Sequence, residues 1–375
     1  MKLISRIVEA YRTEIFFGND ALAQLGRWNN HRPSGVFILV DSGSFEYCYP
    51  VLLQQVPEWK SARVLAIASG EENKTHGTAL RLWEDLMEAQ AGRDALLVTL
   101  GGGMVGDLGG FVAAGYKRGI RYIHIPTTLL GQVDASIGGK TGININQVKN
   151  QVGFFYSPAA VFIYPGFLQT LPLDQLRSGL AEIIKSALIG DPRLWKKIKS
   201  HTVGEWMQLP VDGSLWRHLM AGAIACKNKF VRKDFFEKNI RGALNFGHTI
   251  GHAIETMSLS RWDQPLPHGE AVAAGMVCAA WLSWHKTGLS KQMMEEITAY
   301  IQNGYLLPYI HHEAYPVLID LLAHDKKNRD KQVRFTLLEA PGKPKINVVC
   351  SGEEILWALN FYNQAGREAR FNNLS

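Results

Sequence analysis

Ala95-Leu96-Leu97-Val98-Thr99-Leu100 runs directly into Gly101-Gly102-Gly103-Met104-Val105-Gly106, and this junction decides the fold class. An apolar run without polar alternation reads as a strand buried on both faces, the habit of parallel sheets. Glycines straight after such a strand let the chain turn tightly and open a helix whose amides can approach a phosphate. Outward from the junction, Val36-Phe37-Ile38-Leu39-Val40-Asp41 is a second apolar run ending in an acid, and Arg121-Tyr122-Ile123-His124-Ile125-Pro126 is a third strand. Between the first two runs, Thr78 to Ala91 has the apolar spacing of an amphipathic helix. Strands alternating with helices predict an α/β domain with a mainly parallel sheet and ligands at the strands' carboxyl ends.

Beyond about residue 165 the pattern becomes helical, over 174–190, 214–233, 245–257, 269–287 and 291–303. Val333-Arg334-Phe335-Thr336-Leu337-Leu338, then Ala340-Pro341-Gly342-Lys343 and Ile346-Asn347-Val348-Val349, reads as a hairpin. A chain of 375 residues exceeds one ordinary core. The expected division is an α/β domain over 1–165 and a mainly α-helical domain over 166–375, with the site in the cleft between them.

The net charge of +6 is spread without a Lys/Arg block, which favours a small anionic substrate and disfavours nucleic acid. Cys48, Cys226, Cys278 and Cys350 lie far apart, as reduced thiols of a cytoplasmic protein do. The first residues carry Lys2, Arg6 and Glu9 where a signal peptide needs an apolar core, and no uncharged apolar run reaches the ~20 residues that span a bilayer. A soluble, cytoplasmic protein without membrane partners is expected.

Three motifs bear on chemistry. The triple glycine formally matches GxGxxG, but no acid follows at ~20 residues, so the usual dinucleotide fingerprint is not met. A turn serving packing alone stays open, while Asp107 and Asp41 could supply a nucleotide contact. Gly138-Gly139-Lys140-Thr141 looks like the end of a P-loop, yet Asp134 stands where that motif needs glycine. What remains, a lysine beside glycines with Asp134 upstream and Lys149-Asn150 downstream, suits a phosphorylated substrate. Lastly, Asn245-Phe246-Gly247-His248-Thr249-Ile250-Gly251-His252 puts two imidazoles at i and i+4 on one helical face. His268 follows, and Glu182 in an apolar helical segment could complete a His/His/carboxylate set with an open position, a catalytic zinc pattern. A hydrogen-bonded histidine pair without metal is the alternative.

In combination these segments resemble the dehydroquinate synthases of the sugar-phosphate cyclase superfamily, from about Val36 to Asn363. The resemblance rests on Ser69-Gly70-Glu71-Glu72-Asn73-Lys74, the loop from Gly101 to Asp107, Pro126-Thr127-Thr128-Leu129-Leu130 and the run from Gln132 to Thr141. It extends through the Glu182 and His248 segments, Pro267-His268-Gly269-Glu270-Ala271-Val272 and Asp325-Lys326-Lys327. It implies conversion of 3-deoxy-D-arabino-heptulosonate 7-phosphate to 3-dehydroquinate and phosphate, with tightly bound NAD on the first domain and a divalent metal, zinc or cobalt, on the second. The implied sequence is transient oxidation at C5, loss of phosphate from C7, reduction, ring opening and aldol closure. It further implies metal ligands Glu182, His248 and His268, and proton carriers His252 and Glu237. Implied substrate contacts are Arg118, Asp134, Lys140, Asn150, Lys185, Lys227, Arg241, Asn245 and Lys326. Implied NAD contacts are Asp41, Glu71, Lys74, Gly102, Gly103, Asp107, Thr127, Thr128 and Lys149. A homodimer, with Arg118 reaching the neighbouring subunit's site, is implied as well. Gly43, the 144–150 loop, Lys229 and the long His252–His268 segment depart from the common pattern. Another cyclase, such as an inosose or valiolone synthase, shares the chemistry, and a glycerol-dehydrogenase-like oxidoreductase shares the triple glycine.

Overall fold

The computed structural model describes residues 7–8, 13–31, 35–145, 148–323 and 332–372. In chain order the first strands are β1 (Ile7–Val8), β2 (Glu14–Phe17), β3 (Val36–Asp41), β4 (Arg63–Ile67), β5 (Leu96–Gly101) and β6 (Arg121–Pro126). The hairpin β7 (Lys140–Ile145) and β8 (Val148–Phe155) follows, then β9 (Ala160–Ile163). Helices α1 (Ser42–Tyr47), α2 (Tyr49–Gln55), α3 (His76–Glu88) and α4 (Gly103–Gly115) alternate with them. The remainder contains α5 (Leu173–Gly190), α6 (Pro192–Ile198), α7 (Val203–Gln208), α8 (Ser214–Lys233), α9 (His248–Arg261), α10 (His268–Thr287), α11 (Lys291–Gln302) and α12 (Tyr315–Ala323). Hairpin β10 (Val333–Ala340) and β11 (Lys343–Cys350) and helix α13 (Gly352–Asn372) complete it.

Packing divides the chain into two units, one of residues 1–172 with 210–236 and the other of 173–209 with 237–375. A single cut at 165/166 does not describe this, because 210–236 returns to the first unit. The helical periodicity of 214–233 specifies a helix without specifying what it packs on, and α8 packs on the turn around Asp134.

In the first unit the sheet order is β1-β2-β9-β6-β5-β3-β4, parallel throughout except for β1. Alternate residues of β3 and β5 feed two cores. Leu39 and Leu97 pack with α3 and α4 residues such as Leu82 and Leu108, whereas Ile38, Val40, Val98 and Leu100 pack with Leu52 and Trp59. Cover on both faces explains why these strands read as unbroken apolar runs. The chain runs from β3 outward to β4 and then to β5 on the other side of β3, so the order reverses between β3 and β5. Ligands of open α/β sheets bind at such a reversal. Asp41 and the glycines after β5 flank it.

In the second unit α10 is apolar on nearly every side, buried continuously from Gly269 to Ala280, and packs against α5, α9, α11, α13 and β10. Such a helix belongs at the centre of its core. Among the described residues no helix is long and apolar enough to cross a membrane, and all four cysteines are free and buried.

Candidate active site

In the second unit, three helices carry the histidine cluster. Glu182 projects from α5, His248 and His252 from α9, and His268 is the first residue of α10. The helices are drawn together by residues lacking side chains. A Cβ on Gly275 of α10 would lie 1.9 Å from the Gly247 carbonyl oxygen, and one on Gly269 would lie 2.3 Å from Cα of Ser178. Gly247 itself caps α9 in the left-handed region, φ 78°, which favours glycine. Two polar contacts lock α10 to α5: Gly269 N–H donates to Ser178 Oγ at 2.9 Å, and Arg177 Nε meets Glu270 at 2.5 Å.

Oε1 of Glu182 lies 3.4 Å from Nε2 of His248 and 3.3 Å from Nε2 of His268. Both imidazoles are oriented from behind. His248 Nδ1 donates to the Phe246 carbonyl at 3.2 Å, and His268 Nδ1 donates to Glu255 Oε2 at 3.2 Å. Neither acceptor can donate, so Nδ1 of each ring carries a proton and Nε2 is the nitrogen turned toward Glu182. The ring centroid of His252 stands 5.0 Å from that of His248 and 5.8 Å from that of His268. One ligand atom from each of His248, His252 and His268 falls within 4.8 Å of the others, a spacing that could hold a metal ion.

The donor set fits a divalent metal on a further ground. Glu182 is 1 % exposed, and neither of its oxygens accepts a hydrogen bond of proper geometry, although Lys185 forms an ion pair with Oε2. A buried carboxylate lacking hydrogen bonds needs compensating positive charge. Burial alone would raise its pKa, but the Lys185 ammonium and the imidazoles outweigh burial and hold it well below the usual range. Burial and Lys185 lower the His248 pKa. Burial also opposes charge on His268, yet Glu255 and Glu182 push it up to about 10. In the same unit, Arg241 is buried in the turn Ile240–Asn245, and Asn245 Nδ2 donates to Glu237 Oε1 at 3.1 Å.

The first unit gathers a second group. Gly102 caps α4 with no side-chain hydrogen bond, leaving the amides at the start of a 13-residue helix open to an anion. A Cβ on Gly102 would sit 3.0 Å from Thr128 Cγ2, and one on Gly103 3.2 Å from Ala135 Cβ, so the glycines form a cradle that fits a dinucleotide's phosphates. Lys74, 3 % exposed, donates to Asp107 at 2.6 Å and to Asn150 at 2.7 Å, with Glu71 at 3.6 Å. Burial opposes its charge, but Asp107 and Glu71 prevail and raise its pKa. Asn144 closes the group, bridging Glu71 Oε1 at 2.9 Å and the amide of Asn150 at 2.9 Å. Asp41 also serves the fold, accepting the Ser44 amide at 2.8 Å as the cap of α1. Thr127 and Thr128 follow β6, and the Thr128 hydroxyl accepts the Gly131 amide at 3.0 Å. Asp134 sits in a single π-helical turn, Gly131–Ala135, where Lys227 of α8 meets its carboxylate at 2.7 Å and its carbonyl at 2.6 Å. Lys140 and Lys149 lie on β7 and β8. Arg118 is exposed in a turn at φ 65°, outside this group's hydrogen-bond network. Lys326 lies outside the described residues.

Sequence reasoning named no role for Glu255, Asn144 or the Ser178–Gly269 and Arg177–Glu270 locks. Glu255 had a signal: it follows His248 at i+7, on the same face of α9.

Two family models match the chain, 3-dehydroquinate synthase N-terminal over residues 64–178 and 3-dehydroquinate synthase C-terminal over 179–328. A 3-dehydroquinate synthase from Parabacteroides distasonis is 41% identical over 330 residues, 88% of this chain and 92% of that one. The fold is similar to that of 2-deoxy-scyllo-inosose synthase complexed with carbaglucose-6-phosphate, NAD+ and Co2+, with TM-score 0.79 and 26% identity over 94% of this chain and 96% of that one. It is also similar to 2-epi-5-epi-valiolone synthase from Streptomyces hygroscopicus with NAD+ and Zn2+ bound, with TM-score 0.81 and 26% identity over 95% of this chain and 98% of that one. With both family models matched in order and 92% of that relative covered, the chain belongs to the 3-dehydroquinate synthase family.

Proposed function

We propose that this chain is a carbon–oxygen lyase of the cytoplasm, converting 3-deoxy-D-arabino-heptulosonate 7-phosphate to 3-dehydroquinate and phosphate in the shikimate pathway. One observation carries the reading: a buried carboxylate, Glu182, faces Nε2 of two imidazoles that are each tied at Nδ1 to an acceptor. A His/His/carboxylate set leaves a coordination position for a substrate oxygen, and Glu182, His248 and His268 are assigned as the ligands. When bound, NAD supplies a transient oxidation of the C5 alcohol and the divalent metal, zinc or cobalt, an electrophile for its oxygen. NAD is assigned to Asp41, Glu71, Lys74, Gly102, Gly103, Asp107, Thr127, Thr128 and Lys149.

His252 shares a helical face with His248 and is assigned, with Glu237, to moving protons. The substrate bears a phosphate and a carboxylate, and Arg118, Lys140, Lys185, Lys227, Arg241 and Lys326 supply cations for them, with Asp134, Asn150 and Asn245 for its hydroxyls. Arg118 is assigned to the site of the neighbouring copy in a homodimer.

The test is one assay. The pure protein is incubated with the heptulosonate phosphate, NAD and zinc, and phosphate, 3-dehydroquinate and NADH are followed together. Equimolar phosphate and 3-dehydroquinate without net NADH are expected. Steady net NADH would mean a dehydrogenase, and preference for a sugar phosphate without the carboxylate would mean another cyclase.

A further inference from the structure

We propose that Glu255 is a positioning residue for the metal centre: its carboxylate accepts the Nδ1 proton of His268 and thereby fixes which nitrogen that imidazole turns toward Glu182. The proposal rests on the metal-ligand reading above. Glu255 is 5 % exposed, and a carboxylate that deep in a protein is retained where it makes charge-assisted hydrogen bonds. His268 thus spans two buried carboxylates, 3.2 Å from Glu255 Oε2 at Nδ1 and 3.3 Å from Glu182 Oε1 at Nε2.

The two assigned histidine ligands are oriented in different ways. His248 is held by the backbone carbonyl of Phe246, which no substitution removes, whereas His268 depends on a side chain. His268 opens α10 without a side-chain cap, where the helix end places positive potential on the ring. A ring rotation about its χ2 axis exchanges the nitrogens for carbons, and Glu255 makes one of those orientations the favoured one. An anionic acceptor behind an imidazole also makes its other nitrogen a better donor to a metal.

The backbone is built to hold this geometry. Helix α9 carries His248, His252 and Glu255 at i, i+4 and i+7, one face of a helix. The Glu255 carbonyl accepts from Ser258 Oγ at 2.8 Å, and the same hydroxyl accepts the Leu266 amide at 3.0 Å. That pair of bonds ties the segment leading into His268 to the turn of α9 that bears Glu255.

The test uses the full chain and reads metal binding rather than turnover. Zinc affinity is measured by competition with a chromophoric chelator for the wild type, Glu255→Gln and Glu255→Ala, alongside NAD affinity and the cobalt(II) visible spectrum. Glu255→Ala is expected to lose 10- to 100-fold in zinc affinity, the range for removing such an outer partner, and to alter the cobalt spectrum, with NAD affinity unchanged. Glu255→Gln keeps an acceptor but not its charge and should fall between. Zinc affinity equal to wild type in Glu255→Ala, or parallel loss of zinc and NAD affinity, overturns the role. Nitrogen-15 histidine spectra of the zinc-loaded wild type supply an arm that needs no variant: a protonated Nδ1 on a zinc-bound His268 is expected, and a zinc-bound Nδ1 overturns the proposal. Zinc binding by the wild type itself reports separately on the underlying metal-centre reading.

Discussion

Replacing His248 by alanine removes one of the two nitrogens that face Glu182, whereas replacing His252 leaves both in place. His248→Ala is therefore expected to lose zinc, and His252→Ala to keep zinc while its kcat falls by about 100-fold or more, the usual loss of a positioned proton carrier. Metal content and kcat measured on both variants check the division, and equal zinc loss would make His252 a ligand, as the three-histidine spacing also allows. The spacing of His248 and His252 could name an imidazole pair but could not divide its roles, because i and i+4 place both rings on one face; the carboxylate that faces Nε2 of His248, Glu182, comes from another helix, α5. His268 gives a pH signature. In the metal-free chain its pKa stands at about 10 against an ordinary 6.5, raised above the unfolded value. Its contribution to stability is therefore fully present below about pH 6.5 and lost as pH rises toward 10. Denaturant midpoints of the metal-free protein should fall across that window. Zinc affinity should rise across the same window, by about tenfold per pH unit, because zinc displaces the proton.

Helices α9 and α10 approach so closely that Gly275 has no room for a methyl group, with 1.9 Å to the Gly247 oxygen and 2.7 Å to the Gly251 nitrogen. Gly275→Ala is expected to destabilise the second unit by about 1–3 kcal/mol, as overpacking does, and to lower zinc affinity by parting His248 from His268. Thermal unfolding with zinc titration checks this, and normal zinc affinity in a destabilised variant would uncouple the metal centre from helix spacing. Elements with strong periodicity or two-sided burial were legible in the sequence: β3 at 36–41, β6 at 121–126 and α8 at 214–233 match to the residue. The helix expected over 78–91 begins earlier because Thr75 caps it, and stops at Glu88, two residues before Gln90 takes φ 54°. The helix expected from 245 begins at 248 because Asn245 ends a tighter turn and Gly247 reverses the backbone. Strands β2, β4 and β9 are too short to show a period, and β8 is exposed along almost its whole length, so burial never stamped its sequence.

For the whole molecule, the homodimer proposal has a sharp test in mixed variants. Arg118→Ala and Glu182→Gln should each be inactive when pure. In a dimer of one of each, one site retains both groups, so a 1:1 mixture that exchanges freely should recover about a quarter of wild-type activity. Mixed dimers as inactive as either parent would mean that Arg118 serves its own chain or no site. The expectation of an α/β part followed by a helical part was legible from periodicity, while the return of 210–236 to the first unit was not, since a helix's period is silent about its neighbours. That return has a consequence in time. Lys227 follows Asp134 by 93 residues, and a ribosome adding ~5–20 residues per second delivers the lysine roughly 5–20 s after the acid. Once β9 has followed, the sheet has all its strands while the carboxylate on its π-turn still has no ammonium from α8. A chain stopped at residue 172 is held in that state permanently, so it should bind chaperones and resist crystallisation, while one extended to 236 should mature.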